Sequence, residues 1–136
     1  MQTDRVLLDA NAVLRYLLED IPEQTEMVAQ AIERGAGVGI EVIMECVYVL
    51  EGFYGETRPL VAESLGILLD EVECRRRTVA ATALGYYGGS KLDFVDCVLA
   101  AEADVAHREV LTFDKKLNSL LCKVKDMEGD SWDACE

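Results

Sequence analysis

Four short apolar runs divide this chain: Arg5–Leu8, Val38–Ile40, Val72–Cys74 and Glu109–Phe113. Each is too short for a helix and reads as a short strand, Val38–Ile40 as a strand or an extended link. The stretches between them carry apolar residues at helical spacing. Ala10–Leu18 is the first, and Pro22 opens a second, PEQTEMVAQAIER, that Gly35 ends. In the third, Ile43, Cys46, Val47, Leu50 and Phe53 recur at the three- and four-residue steps of one face. Leu60–Leu69, Thr78–Tyr87 (stopped by Gly88-Gly89) and Phe94–Ala106 complete the series, and a short helix with a possible edge strand, Lys123–Lys125, follows Asp114. Strands alternating with helices predict an α/β domain with a mostly parallel sheet. Ligands of such sheets gather at the carboxyl ends of the strands.

At 136 residues and 51% apolar, the chain is sized for one domain with a full core. We place that domain at residues 1–125 and an acidic tail at 126–136. The tail, DMEGDSWDACE, holds five acids and no base, and Trp132 is its one candidate anchor. Net charge is −13, and without the tail 21 acids still face 13 bases. An acidic body repels nucleic-acid backbones at long range, which disfavours a simple DNA-binding module. It does not disfavour an enzyme that holds cations in an acidic pocket. With no apolar run of about 18 residues and no signal-peptide pattern, a cytoplasmic location is expected. The five cysteines never form a C-x-x-C pair, which argues against zinc and against a disulfide framework. Cys46 and Cys97 fall within apolar helical patterns and read as core.

The acids are the unusual feature. In Val-Leu-Leu-Asp9-Ala-Asn11, an aspartate stands where a strand hands over to a helix, and Asp114 repeats that placement after Glu109–Phe113. Either could be an N-cap. Asp93 and Asp96 resemble a cap and its third-position partner. Capping does not account for Glu45, which lies inside a helix among apolar neighbours. If the strands are adjacent, these carboxylates converge, and their mutual repulsion would be relieved by a divalent cation. An all-oxygen donor set favours Mg²⁺ or Mn²⁺. The single histidine, His107, excludes a two-histidine ribonuclease mechanism, and there is no G-x-S-x-G elbow or phosphate-binding loop.

The segments Val-Leu-Leu-Asp9-Ala-Asn11, Met44-Glu45-Cys-Val-Tyr-Val-Leu50, Leu92-Asp93-Phe94-Val95-Asp96-Cys97 and Leu111-Thr112-Phe113-Asp114 together resemble a PIN domain. The likeness is greatest to VapC-like toxins of type II toxin–antitoxin systems, and it spans roughly residues 5–120. It implies a three-layer α/β/α sandwich around the parallel sheet and a metal-dependent endoribonuclease. By position, Asp9, Glu45, Asp96 and Asp114 match the acidic quartet of catalytic and metal-binding residues, with Asp93 a second-rank ligand. Asn11 matches a hydrogen-bonding helper, and Thr112 is placed to orient Asp114. Ala10 departs from the threonine of many relatives. The resemblance also implies a homodimer and a small antitoxin that covers the acidic pocket.

RNA would have to reach this acidic surface through Arg15, Lys91, Lys115 and Lys116, the bases nearest the motif acids. Arg15 is placed either to face the pocket or to pair with an acid. Arg75-Arg76-Arg77 reads as a solvated helix start before a phosphate contact, and Tyr86 and Tyr87 as core at least as readily as base-stacking residues. Two other readings stay open: a PIN nuclease of RNA processing without an antitoxin, and a catalytically silent partner-binding domain. A phosphatase of the haloacid dehalogenase type needs a second acid where Asn11 stands, and a receiver domain needs an early adjacent acidic pair that is absent.

Overall fold

Asp9 ends the first extended segment in the computed structural model, which describes residues 6–127. Its backbone is extended (φ −86°, ψ 177°), and the chain turns at once into α1, Ala10–Leu18. Six further helices follow: α2 (Pro22–Glu33), α3 (Ile40–Gly52), α4 (Arg58–Glu71), α5 (Arg77–Gly88), α6 (Phe94–Val105) and α7 (Lys115–Met127). Their starts follow from local chemistry. Pro22 begins α2, and the Thr57 hydroxyl accepts from the Leu60 amide ahead of Pro59 in α4. After α2, Gly35 takes a left-handed φ of 92°, a conformation open to glycine at little cost.

α3 is the central helix and touches α1, α4, α5 and α6. Its residues Ile43, Cys46, Val47 and Leu50 are buried, as their spacing predicts, whereas Phe53, the last of that series, is the C-cap and is exposed. Burying an aliphatic side chain of this size stabilises a fold by roughly 1.5–3 kcal/mol, so this stripe anchors the whole domain. α1 pairs with α2, and α5 lies between α4 and α6. Gly88 lets α5 end hard against α4, since a Cβ there would stand 3.0 Å from the Ala62 Cβ. α7 closes onto α6 through Leu117 and Leu121 against Ala100 and Ala103.

The expected central sheet is not there. Among the described residues there is no strand, and the domain is helical. What survives is a line of three extended segments joined by two isolated parallel bridges, Leu7 with Gly37 and Gly37 with Glu73. Leu8 N–H donates to the Gly37 carbonyl at 2.9 Å, and Val38 N–H to the Glu73 carbonyl at 2.9 Å. Among the described residues each pair of segments is joined by a single bridge, and no ladder extends from it. The three-layer sandwich therefore lacks its middle layer. Glu109–Phe113 is not a strand either: among the described residues it makes no backbone–backbone hydrogen bond, and Leu111 and Phe113 are 88% and 94% exposed. Lys123–Lys125 belongs to α7, where Val124 turns inward with Leu117 and Leu121.

The other sequence readings fare unevenly. Cys46 and Cys97 are buried free thiols, while Cys122 is disulfide-bonded. His107 is exposed, with a left-handed φ of 54° just after α6. No helix among the described residues is long and apolar enough to cross a membrane. Of the tail placed at 126–136, residues 126 and 127 end α7, and the remainder, including Trp132, falls outside the described residues.

Candidate active site

The motif acids sit at helix starts and on one helix flank. Asp9 is the N-cap of α1, its Oδ1 accepting the Ala12 amide at 2.8 Å. Asp114 does the same for α7, accepting the Leu117 amide at 3.0 Å. Both acids therefore cap, as the simpler reading of the sequence has it. Asp93 does not: it occupies the N-cap position of α6 without a side-chain capping bond. Its Oδ2 instead accepts the Tyr48 hydroxyl of α3 at 3.2 Å. Asp96 lies in the first turn of α6, where the helix dipole favours negative charge. Glu45 is exposed on α3, one turn before Tyr48.

Electrostatics sort these residues into two groups. Partial burial pushes the Asp96 carboxyl above its ordinary value, and the charges of Asp114 and Asp93 push it further. Three motif acids from two separated chain segments thus share one local field. The second group meets at a thiol. Burial pushes Cys46 up to about 12, with the charges of Glu45 and Asp9 adding to the effect. Asp9 and Glu45 are close enough to act on the same sulfur. α3 links the groups, because Glu45 belongs to one and Tyr48, one turn on, contacts the other.

The supporting residues are placed as follows. Thr112 acts on Asp114 through the backbone, its Oγ1 accepting the Asp114 amide at 3.0 Å. Asn11 is exposed beside Asp9, and both line a cleft of about 340 Å³ with Arg15 and Gln24. Arg15 pairs with an acid, Asp20, at 2.7 Å. Lys91 stands at the rim of a second cleft that includes Asp93. Lys115 and Lys116 are exposed in the first turn of α7, directly after Asp114. Of the three arginines at 75–77, Arg76 pairs with Glu102 and Arg77 donates to the Val72 carbonyl. Tyr87 is buried and Tyr86 donates to Asp104 at 2.7 Å, so neither ring is displayed for stacking.

A family model for the PIN domain matches residues 6–120, which contain every one of these acids. The chain belongs to the PIN-domain family. No curated protein and no solved structure gives a match. PIN domains are in general nucleases, hydrolases that use divalent metal ions. The donors of this PIN domain fit such an ion chemically. The accessible ligating groups are carboxylates, Cys46 and Cys97 being buried and held protonated, and oxygen donors suit Mg²⁺ or Mn²⁺. Spacing alone does not form a coordination shell: among the described residues, no three His, Cys, Asp or Glu side chains stand close enough to hold a metal.

Tyr48 is the residue that sequence reasoning missed. The signal was present, since a position three after Glu45 shares its helix face. Arg58, Glu51 and Tyr87 were missed as a group because they come from three helices and join only in space.

Proposed function

We propose that this PIN domain is a metal-dependent endoribonuclease that hydrolyses RNA phosphodiester bonds, and that it is the toxin of a toxin–antitoxin pair. One observation carries the nuclease reading: partial burial pushes the Asp96 carboxyl up, and the charges of Asp114 and Asp93 add to it, so motif acids from separate segments act on one another. Such crowding disfavours an apo fold and favours cation binding. A bound Mg²⁺ or Mn²⁺ would lower the pKa of a water molecule and offset phosphate charge. Asp9 and Asp96 would hold the ion, with Glu45, Asp114 and, in second rank, Asp93 acting around it. An ionised carboxylate such as Glu45 would take the proton of the attacking water. Asn11 would hydrogen-bond beside Asp9, and Thr112 keeps the Asp114 backbone in place. Lys91, Lys115 and Lys116 would meet RNA phosphates; Arg15 serves less directly because it already holds Asp20.

The toxin assignment, the antitoxin that covers the acids and the homodimer rest on the four-segment resemblance to VapC-like toxins. The test is cleavage of single-stranded RNA with Mn²⁺ or with EDTA. Cleavage by wild type that needs the metal and is lost in Asp96→Asn supports the nuclease; metal-independent or absent cleavage refutes it. Co-expression with the product of a small adjacent gene tests the toxin role through inhibition of that cleavage. One observation favours a second reading, a silent partner-binding domain: the Asp9 and Asp114 side chains already satisfy helix amides as caps. Under that reading Mn²⁺ leaves the thermal midpoint unchanged.

A further inference from the structure

We infer that the cleft walled by Tyr48, Arg58 and Lys91 receives one unstacked nucleobase of the RNA strand, next to the nucleotide whose phosphate faces the acids. The inference rests on the ribonuclease reading above and specifies its substrate as single-stranded RNA. The cleft, of about 430 Å³, lies between α3, the start of α4 and the α5–α6 connection. Small-ligand pockets run to roughly 300–1,000 Å³, so its size suits a base.

Four features make it a base site. It adjoins the acids, because Asp93, which lines it, is the N-cap residue of α6, and Asp96 lies in the first turn of the same helix. It offers an aromatic face: Tyr48 is 44% exposed, and its hydroxyl is tied to Asp93, which limits how the ring can turn. Its floor is rigid. The Tyr87 hydroxyl donates to Glu51, while the Arg58 guanidinium lies 4.0 Å over the Tyr87 ring and its Nε donates to the Tyr87 carbonyl at 3.1 Å. Arg58 also donates to the Leu92 carbonyl, just before Asp93. Finally, one wall is left bare by Gly52, where an added Cβ would meet nothing within 4 Å.

Charge distinguishes a base from a phosphate as the occupant. Glu51 and Asp93 offset Arg58 and Lys91 within the cleft, so it has no net attraction for an anion. It does hold donors and acceptors together, which suits the edge of a base. Lys91, exposed and in no ion pair among the described residues, is left for the neighbouring phosphate. A duplex keeps its bases stacked and cannot fill the cleft, whereas a single strand or loop can.

The test is binding of a fluorescein-labelled single-stranded RNA hexamer by anisotropy in EDTA, for wild type, Tyr48→Ala, Tyr48→Phe and Gly52→Trp. Base–aromatic stacking predicts that Tyr48→Ala weakens binding by about 5- to 150-fold. Gly52→Trp, which fills the cleft from an exposed helix end, weakens it comparably, and Tyr48→Phe, which keeps the ring but releases it from Asp93, binds between wild type and Tyr48→Ala. With Mn²⁺, wild type should hydrolyse bis(p-nitrophenyl) phosphate, which carries no base and so reads the acidic centre independently of the cleft. A wild type that does not bind the hexamer, or equal binding by all four, overturns the base site. Absence of any Mn²⁺-dependent hydrolysis by wild type refutes the nuclease reading instead, while the binding measurements still judge the cleft.

Discussion

The Asp114 carboxylate, cap of α7, raises the pKa of Asp96 in the first turn of α6. Burial of Asp96 is the larger cause, and Asp93 adds to both. A raised folded pKa means that the native state holds this proton more tightly than the unfolded chain does. Asp96 therefore costs stability at neutral pH, and the cost disappears as pH falls through the folded value toward the unfolded one. In metal-free buffer at pH 7, Asp96→Asn should melt at or above the wild-type midpoint, and the difference should close on acidification. Millimolar Mn²⁺ should raise the wild-type midpoint and leave that of Asp96→Asn nearly fixed. Equal responses of both proteins to Mn²⁺ would remove Asp96 from the metal site.

Asp9 has two tasks, which conservative substitution separates. Its Oδ1 accepts the Ala12 amide, and an asparagine oxygen would do the same. Asp9→Ala should lose about 0.5–2 kcal/mol in urea titrations, and Asp9→Asn far less. As a metal ligand, however, Asp9 needs its charge. Asp9→Asn should reduce Mn²⁺-dependent RNA cleavage by more than the roughly 10–100-fold typical of outer-shell partners. A stable, fully active Asp9→Asn would leave capping as its only task.

The buried thiols give a prediction at the alkaline end. Burial pushes Cys46 up to about 12 and Cys97 up to about 11, chiefly by desolvating the thiolate. Unfolded thiols ionise near pH 9, so above that the unfolded chain loses protons that the native state keeps. Their contribution is intact below pH 9 and is lost as pH rises through 11 and 12. At pH 8, peptide mapping after brief treatment with a thiol reagent should find Cys74 modified, and Cys46 and Cys97 protected. Rapid modification of Cys46 in the folded protein would contradict its burial on α3 against α1.

The helices were legible because burial imposes its period on the sequence. The ends of α1 fall where the Asp9 cap and the spacing of Val13 and Leu14 put them. The sheet was not legible, because short apolar runs record only that a segment is extended or buried, not that it pairs. Leu7, Gly37 and Glu73 line up through single bridges, whereas Leu111 and Phe113 alternate like a strand yet face solvent. At Lys123–Lys125, three residues were too few to tell period two from period 3.6; Leu117, Leu121 and Val124 carry the helical spacing over a longer window. At the site, the sequence put Asp9, Asp93, Asp96 and Asp114 at helix starts and Glu45 on a helix flank, where they are, but the strand ends it also gave Asp9 and Asp114 belong to no sheet among the described residues. Sequence order gave no access to the Tyr48–Asp93 bond or to the split of the acids between the Asp96 and Cys46 neighbourhoods, which depend on how α3 and α6 pack.

Phe94 should matter to the site without touching substrate. It is fully buried between Asp93 and Asp96 in sequence, and its ring meets Tyr87 edge-on at 5.8 Å and 82°. The start of α6, and with it both acids, is held to α5 by this contact. Phe94→Ala should cost about 3–5 kcal/mol in denaturant titrations, because it removes a large buried ring and leaves a cavity. Phe94→Leu, which refills part of that volume, should cost less. Below the unfolding transition, Phe94→Ala should also lose the Mn²⁺-induced rise in midpoint while Phe94→Leu retains it, because the α6 acids lose their anchor only when the cavity is left open. If Phe94→Ala unfolds like wild type, the ring does not fix α6, and Asp93 and Asp96 must be positioned from the α3 side through Tyr48.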